Sequence, residues 1–140
     1  MSKQQFDVLV DLDVTSPLRK VEDISEAYKQ FKEEDAEILI TASPARKNPY
    51  FNMVKYNTDG TVGFVNPPQS AITHRQKTPV VFDMATVCYV ARSDFVMTHN
   101  AIFEGRVRAV HIPRERAIDI DTLFDFQMAE YFLNKREQNL

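Results

Sequence analysis

The opening third of the chain sets an order of patterns that few folds accommodate: an apolar run, an amphipathic helical stretch, and a second apolar run. Phe6-Asp7-Val8-Leu9-Val10-Asp11-Leu12-Asp13 reads as a short buried strand closed by acids. Val21, Ile24, Ala27, Tyr28 and Phe31 then recur at helical spacing, with Glu22, Asp23, Glu26 and Lys29 on the opposite face, so a surface helix should cover a sheet. Ala36-Glu37-Ile38-Leu39-Ile40-Thr41-Ala42 is the next strand. A strand, helix, strand unit this short implies parallel pairing through a right-handed crossover, which is α/β architecture.

The rhythm breaks at Ser43-Pro44-Ala45-Arg46-Lys47-Asn48-Pro49-Tyr50. Residues 51–56, the turn Asn57-Thr58-Asp59-Gly60 and residues 61–65 read as a hairpin in which Gly60 supplies the left-handed position. Pro67-Pro68-Gln69-Ser70 extends this excursion, so residues 48–77 are expected to project from a single domain spanning 1–140, as a surface for binding or association. Residues 80–90 form the longest strand-forming stretch and should be central, followed by a short helix at Ser93-Asp94-Phe95-Val96-Met97. Residues 107–112 make a further strand stopped by Pro113. From Thr122, the positions Leu123, Phe126, Ala129, Glu130 and Leu133, with Phe124, Met128 and Phe132 beside them, give a wide apolar stripe expected to dock on the sheet. Lys135 and Arg136 suit the C-terminal end of that helix.

Charge and cysteine usage narrow the function classes. With 17 Lys and Arg against 20 Asp and Glu, the net charge of −3 offers no general attraction to nucleic acid or to a membrane surface, so any anion site must be local. Cys88 stands alone in an apolar run, which excludes an intrachain disulfide and points to a buried, inert thiol. The start lacks an apolar leader core, and no run reaches the ~18 apolar residues of a membrane helix, so a cytoplasmic location is expected. His74, His99 and His111 lack zinc-ligand spacing, there is no Gly-x-Ser-x-Gly, and 3 glycines cannot build a glycine-rich phosphate cradle.

The chemistry concentrates in Arg116-Ala117-Ile118-Asp119-Ile120-Asp121-Thr122. In an extended segment, side chains alternate, so Asp119 and Asp121 would share one face with Cα atoms about 7 Å apart. Such a pair can grip a hard divalent cation such as Mg²⁺, which keeps waters and shares its shell with substrate phosphates. The other reading is helix-start chemistry, since Thr122 followed by Asp125 is a capping-box variant and acids favour a helix N-terminus. Thr15 and Ser16 offer hydroxyls and amides to an anion or make a turn. His74-Arg75-Gln76-Lys77 is either a local anion site or a solvated run.

Taken together, four ordered stretches resemble the N-acylneuraminate cytidylyltransferase (CMP-sialic acid synthetase) family, which also includes enzymes for bacterial legionaminic and pseudaminic acids. They are Leu12-Asp13-Val14-Thr15-Ser16-Pro17-Leu18-Arg19, Asn48-Pro49-Tyr50-Phe51-Asn52-Met53, Arg75-Gln76-x-x-Pro79 with Tyr89, and Ile118-Asp119-Ile120-Asp121-Thr122-x-x-Asp125-Phe126. The last is the most specific. The resemblance covers the C-terminal part of the family pattern, and the family's first, nucleotide-binding block has no counterpart here. It implies a partial nucleotidyltransferase-type, Rossmann-like parallel sheet with a projecting β-hairpin dimerisation segment. It further implies transfer of CMP from CTP to a nonulosonic acid for surface polysaccharide, with Mg²⁺ on Asp119 and Asp121 and a homodimer in which Arg75 reaches the sugar carboxylate of the other subunit. Asp13, Thr15, Ser16 and Arg19 would lie near substrate, and Ile102 and Phe103 would line an apolar wall of the sugar pocket. Asp13 stands where the family usually has Gln, and Ala85-Thr86 where it has Asn-Gly, so the sugar's identity stays open. The alternative implied by the missing block is a truncated, inactive homologue that keeps the fold and a dimerising or partner-binding surface.

Overall fold

The computed structural model describes residues 6–67 and 78–138. Two compact units emerge, one of Met1–Ser43 with Met84–Leu140 and the other of Pro44–Asp83. The first contains a four-stranded sheet in the order β1-β5-β2-β6, built from β1 (Val8–Asp11), β2 (Ile38–Pro44), β5 (Phe82–Arg92) and β6 (Val107–His111). The second contains the hairpin of β3 (Val54–Tyr56) and β4 (Val62–Phe64).

The sheet is mixed. β2 and β6 are parallel in the register Ile38↔Val107 to Ala42↔His111, whereas β1 and β5 are antiparallel from Val8↔Arg92 to Asp11↔Tyr89. Arg92 N–H donates to the Glu37 carbonyl at 2.9 Å, while the Thr41 hydroxyl lies 3.2 Å from the Cys88 carbonyl. Ascending β2 therefore descends β5, so β1, β2 and β6 share a direction and β5 runs against all three. The expected pairing of the first two strands is corrected here: β5 is inserted between them, because a strand from far along the chain supplies the partner that the local unit lacks.

Helix α1 (Val21–Glu33) buries Ala27 and Phe31 against Leu39, Val87, Cys88, Val90 and Val110 in the main core, with Ile24 partly buried. Two of its expected inward residues, Val21 and Tyr28, are exposed. Conversely Asp23, expected at the solvent face, is only 4% exposed, for a reason given below. The helix ends with Asp35 at φ +47°, a left-handed position usually given to glycine or asparagine. Residues 93–98 form α2 (Ser93–Thr98), whose Phe95 packs with Ile38 and Ala91 in a smaller cluster. Cys88 is fully buried in the main core, and that burial pushes its thiol up to about 11, in keeping with an inert side chain.

Two apolar expectations fail. β1 is not buried: among the described residues it has one neighbouring strand, and Leu9 and Val10, with Leu12 just after it, are exposed. The last helix, α3 (Leu123–Glu137), starts at the Thr122 cap but buries only Ala129. Leu123, Phe124 and Phe126 are each exposed, although Leu123 and Phe126, three positions apart, share a face. Among the described residues, no helix is long and apolar enough to cross a membrane.

In the second unit the hairpin forms as its pattern predicts, with Gly60 at φ +83° and Asn57 N–H donating to the Thr61 carbonyl at 2.8 Å. Val54 stands opposite Phe64 and Tyr56 opposite Val62, so the four apolar side chains share one face, and all are exposed. Buried Asn48 organises the base of this unit. Its side-chain amide donates to Thr78 Oγ1 and the Pro79 carbonyl, and its Oδ1 accepts from Tyr50 N–H at 2.9 Å.

Candidate functional site

The turn leaving β1 is a network closed on itself. The Asp13 carboxylate accepts from Thr15 N–H at 3.0 Å and from the Thr15 hydroxyl at 2.7 Å, which holds its pKa below the usual carboxylate range, with a smaller contribution from the charge of Arg19. Ser16 is completely buried, its hydroxyl 2.6 Å from that of Thr86 on β5. Arg19 donates to the Val87 carbonyl at 2.8 Å and to the Asp13 carbonyl, so its guanidinium fastens the turn to the sheet. Ser16 and Arg19 thus have protein partners already, and Asp13 presents a partly exposed carboxylate at the carboxyl end of β1.

The acid segment comes to the same place. Ile120 N–H donates to the Thr15 carbonyl at 3.0 Å, tying residues 119–121 to the turn. Asp119 and Asp121 are not equivalent: Asp121 is exposed, whereas Asp119 is half-buried and its Oδ1 is buried with no hydrogen-bond partner. A buried carboxylate oxygen without a donor is costly unless a cation or an ordered donor meets it. Tyr89, opposite Asp11 in the ladder, feels the convergence: burial first, then the charges of Asp13, Asp11 and Asp119, raise its phenol above the ordinary value.

Below this lies a pair that the sequence pattern concealed. Arg116 clasps Asp23 with both arms, Nη2 to Oδ1 at 2.7 Å and Nε to Oδ2 at 3.0 Å, while the same Oδ2 accepts from Lys20 N–H at 2.9 Å. One carboxylate thus caps α1 and anchors the 3-10 turn Arg114–Arg116, three residues ahead of Asp119. Nothing periodic links positions 23 and 116. The opposite charge immediately before the acid segment was the available signal, without any indication of its partner. A cavity of about 270 Å³ opens beside Arg116, with Lys20, Glu115, Lys135 and Arg136 on its wall.

Thr122 and Asp125 carry out the helix-start chemistry: Asp125 accepts from Thr122 N–H at 2.9 Å and from the Thr122 hydroxyl at 2.6 Å. Asp125 meets the capping need, so Asp119 is left without a capping duty. Ile102 and Phe103 lie elsewhere. Ile102 packs with Ile38, Ala91, Phe95 and Val107 at the amino ends of β2 and β6, the end of the sheet opposite Asp13 and Asp119, and Phe103 is 72% exposed. Arg75 and the run His74-Arg75-Gln76-Lys77 fall outside the described residues. Among the described residues, no set of three or more His, Cys, Asp or Glu is placed to hold a metal. The buried Oδ1 of Asp119 is a hard carboxylate oxygen of the kind Mg²⁺ takes, and the described residues make no protein-only cage around it.

No protein-family model matches the chain. It is 36% identical to the post-translational flagellin modification protein B of Campylobacter coli over 138 residues, which are 99% of this chain and 57% of that protein. It is 35% identical to the CMP-N,N'-diacetyllegionaminic acid synthase of Campylobacter jejuni over 132 residues, 94% of this chain and 55% of the relative. A third relative, the N-acylneuraminate cytidylyltransferase of Streptococcus agalactiae, is 24% identical over 115 residues. The chain thus spans a little over half the length of the first two. Its fold is similar to the crystal structure of 4-diphosphocytidyl-2C-methyl-D-erythritol synthase from Anaerococcus prevotii, with a TM-score of 0.58 at 14% identity, covering 91% of this chain and 59% of that one.

Proposed function

The chain is a homologue of the N-acylneuraminate cytidylyltransferases, and we propose that it forms part of a nucleotidyltransferase that moves CMP from CTP to a nonulosonic acid. The observation that carries this reading is the unpartnered Oδ1 of Asp119, held by the Ile120 to Thr15 link at the carboxyl ends of the strands, where open α/β sheets bind ligands. In the reaction, the anomeric hydroxyl of the sugar attacks the α-phosphorus of CTP. The new oxygen to phosphorus bond forms as the α–β anhydride breaks, pyrophosphate leaves, and the hydroxyl proton is released.

Asp119 and Asp121 are the residues that would hold Mg²⁺, which when bound offsets charge developing on the phosphoryl oxygens. Arg75 would clamp the sugar carboxylate by two parallel hydrogen bonds. Asp13 supplies a polar wall at the same end of the sheet, stiffened by Thr15, and the hydroxyl pair of Ser16 and Thr86 fixes the turn on β5. Residues 48–77 would join two copies into a homodimer, and the apolar face of Val54, Tyr56, Val62 and Phe64 supports that association.

Pyrophosphate release from CTP on adding a nonulosonic acid tests this reading. The assay would use the chain alone and the chain co-expressed with the part of the Campylobacter jejuni relative outside the matched region. Sugar-dependent release in the second preparation, lowered about 100-fold by Asp119→Asn at an unchanged melting temperature, is the expected result, the scale of losing one charge-stabilising group. No release in either preparation, or undiminished release with both Asp119→Asn and Asp121→Asn, would refute it. Sedimentation decides the dimer separately: a strictly monomeric species in both preparations removes it.

A further inference from the structure

We propose that the cavity beside Arg116 is an anion site that takes a diphosphate group, separate from the acid segment. Its charged wall comes from three elements: Lys20 just ahead of α1, Glu115 and Arg116 in the 3-10 turn, and Lys135 and Arg136 in the last turns of α3. Phe132, Lys135 and Arg136 stand three and four positions apart, so they present one face of α3 to it. None of Asp13, Asp119 and Asp121 is among the described residues on its wall.

The chain carries a net charge of −3, yet this wall is cationic. Asp23 offsets Arg116 through Nε and Nη2, so Lys20, Lys135 and Arg136 face the carboxylate of Glu115, a local excess of two positive charges. Among the described residues, neither Lys20 nor Arg136 pairs with a carboxylate. Arg136 gives one N–H, of the five a guanidinium carries, to the Leu18 carbonyl at 3.5 Å. Lys135 and Arg136 also suit the C-terminal end of α3, where the helix dipole favours cations. Lys20 has no such account. It holds the N-cap of α1, where Ser, Thr, Asp or Asn is preferred and the positive end of the dipole disfavours a cation. Asp23 does the capping there by accepting from Lys20 N–H, and the Lys20 side chain makes no cap bond. A cation placed against local preference, on the same cavity wall as a guanidinium from another helix, is stabilised by an anion that meets both. Leu18 and Phe132 add an apolar lining, which strengthens such contacts. At about 270 Å³ the cavity falls just short of the about 300 Å³ where pockets for drug-sized ligands begin, so it suits a small ion and not a whole nucleotide sugar. Two linked phosphates can reach groups on separate elements at once, which a single carboxylate cannot.

The inference does not require the transfer reaction, so its test reads binding, with a metal chelator present and no sugar. Calorimetry of the chain with pyrophosphate should show one saturable site at physiological ionic strength. Lys20→Gln and Arg136→Gln should each weaken it by about tenfold or more, the scale of losing one hydrogen bond to a charged group, in chains that melt as before. Lys29→Gln removes an exposed lysine of α1 that is not on the wall, controls for the change in net charge, and should leave the affinity unchanged. CTP titrated under the same conditions identifies the source of the diphosphate. Pyrophosphate binding at least as tightly means the free ion, and CTP binding more tightly with the same dependence on Lys20 means a nucleotide tail; both leave the proposal standing. Pyrophosphate binding without turnover in any preparation sinks only the proposed reaction. No saturable binding of either probe would overturn the anion site, as would binding undiminished by both Lys20→Gln and Arg136→Gln, or weakened equally by Lys29→Gln.

Discussion

Val8-Leu9-Val10 in β1 and Ile38-Leu39-Ile40 in β2 are aliphatic runs of nearly equal character, yet they meet opposite surroundings. Every residue of β2 from Ile38 to Ser43 is buried, flanked by β5 and β6, whereas β1 has one neighbouring strand among the described residues and leaves Leu9 49% exposed. Periodicity and β-branching are satisfied equally by both. What separates them is the number of strands beside each, a property of the sheet and not of the segment. An apolar run therefore reports that a strand forms and is silent on how many sides of it are occupied.

The sharpest way to break this comparison is to truncate both leucines. Leu39→Ala, in the closed centre of the sheet, is expected to cost about 2–5 kcal/mol, measured by denaturant unfolding. The next largest effect belongs to the pair beneath the site. Asp23→Ala leaves Arg116 without its carboxylate and uncaps α1, a loss of about 3 kcal/mol, at the low end for a buried pair because the Arg116 side chain is 26% exposed. Exchange at the Ile120 amide should also quicken, because the turn ahead of Asp119 loses its anchor.

A smaller effect is expected at the start of α3. Thr122→Ala removes the hydroxyl that accepts from Asp125 N–H and donates to the Asp125 carboxylate, leaving only the backbone arm of the capping box and costing about 1 kcal/mol. Asp125 is held below the usual carboxylate range by the Thr122 hydroxyl first, and Asp13 by the Thr15 amide first. Both folded values are depressed, so their contribution is complete above the unfolded carboxylate value of about 4 and is lost as pH falls through the folded values. The melting temperature should be flat near neutrality and fall at acid pH, with a shallower fall in Thr122→Ala. A steeper acid fall in that variant would contradict the assignment.

Smallest of all is Leu9→Ser, expected to change the stability of the chain alone by less than about 1 kcal/mol. If Leu9→Ser destabilised the chain as much as Leu39→Ala, the contrast between the two strands would collapse.

The sequence by itself determined much of the local structure. Apolar periodicity located the strands and α1, Gly60 marked the hairpin turn, and Thr122 with Asp125 marked the start of α3, because each depends on neighbours within a few residues. It also singled out the segment holding Asp119. Tertiary structure alone decided the rest: that β5 divides β1 from β2, that Asp23 turns inward to meet Arg116, and that Asp119 keeps a buried oxygen while Asp121 faces solvent. Each of those outcomes joins residues far apart in the chain. Their energies depend on which distant groups arrive beside them, and a local pattern carries no record of that arrival.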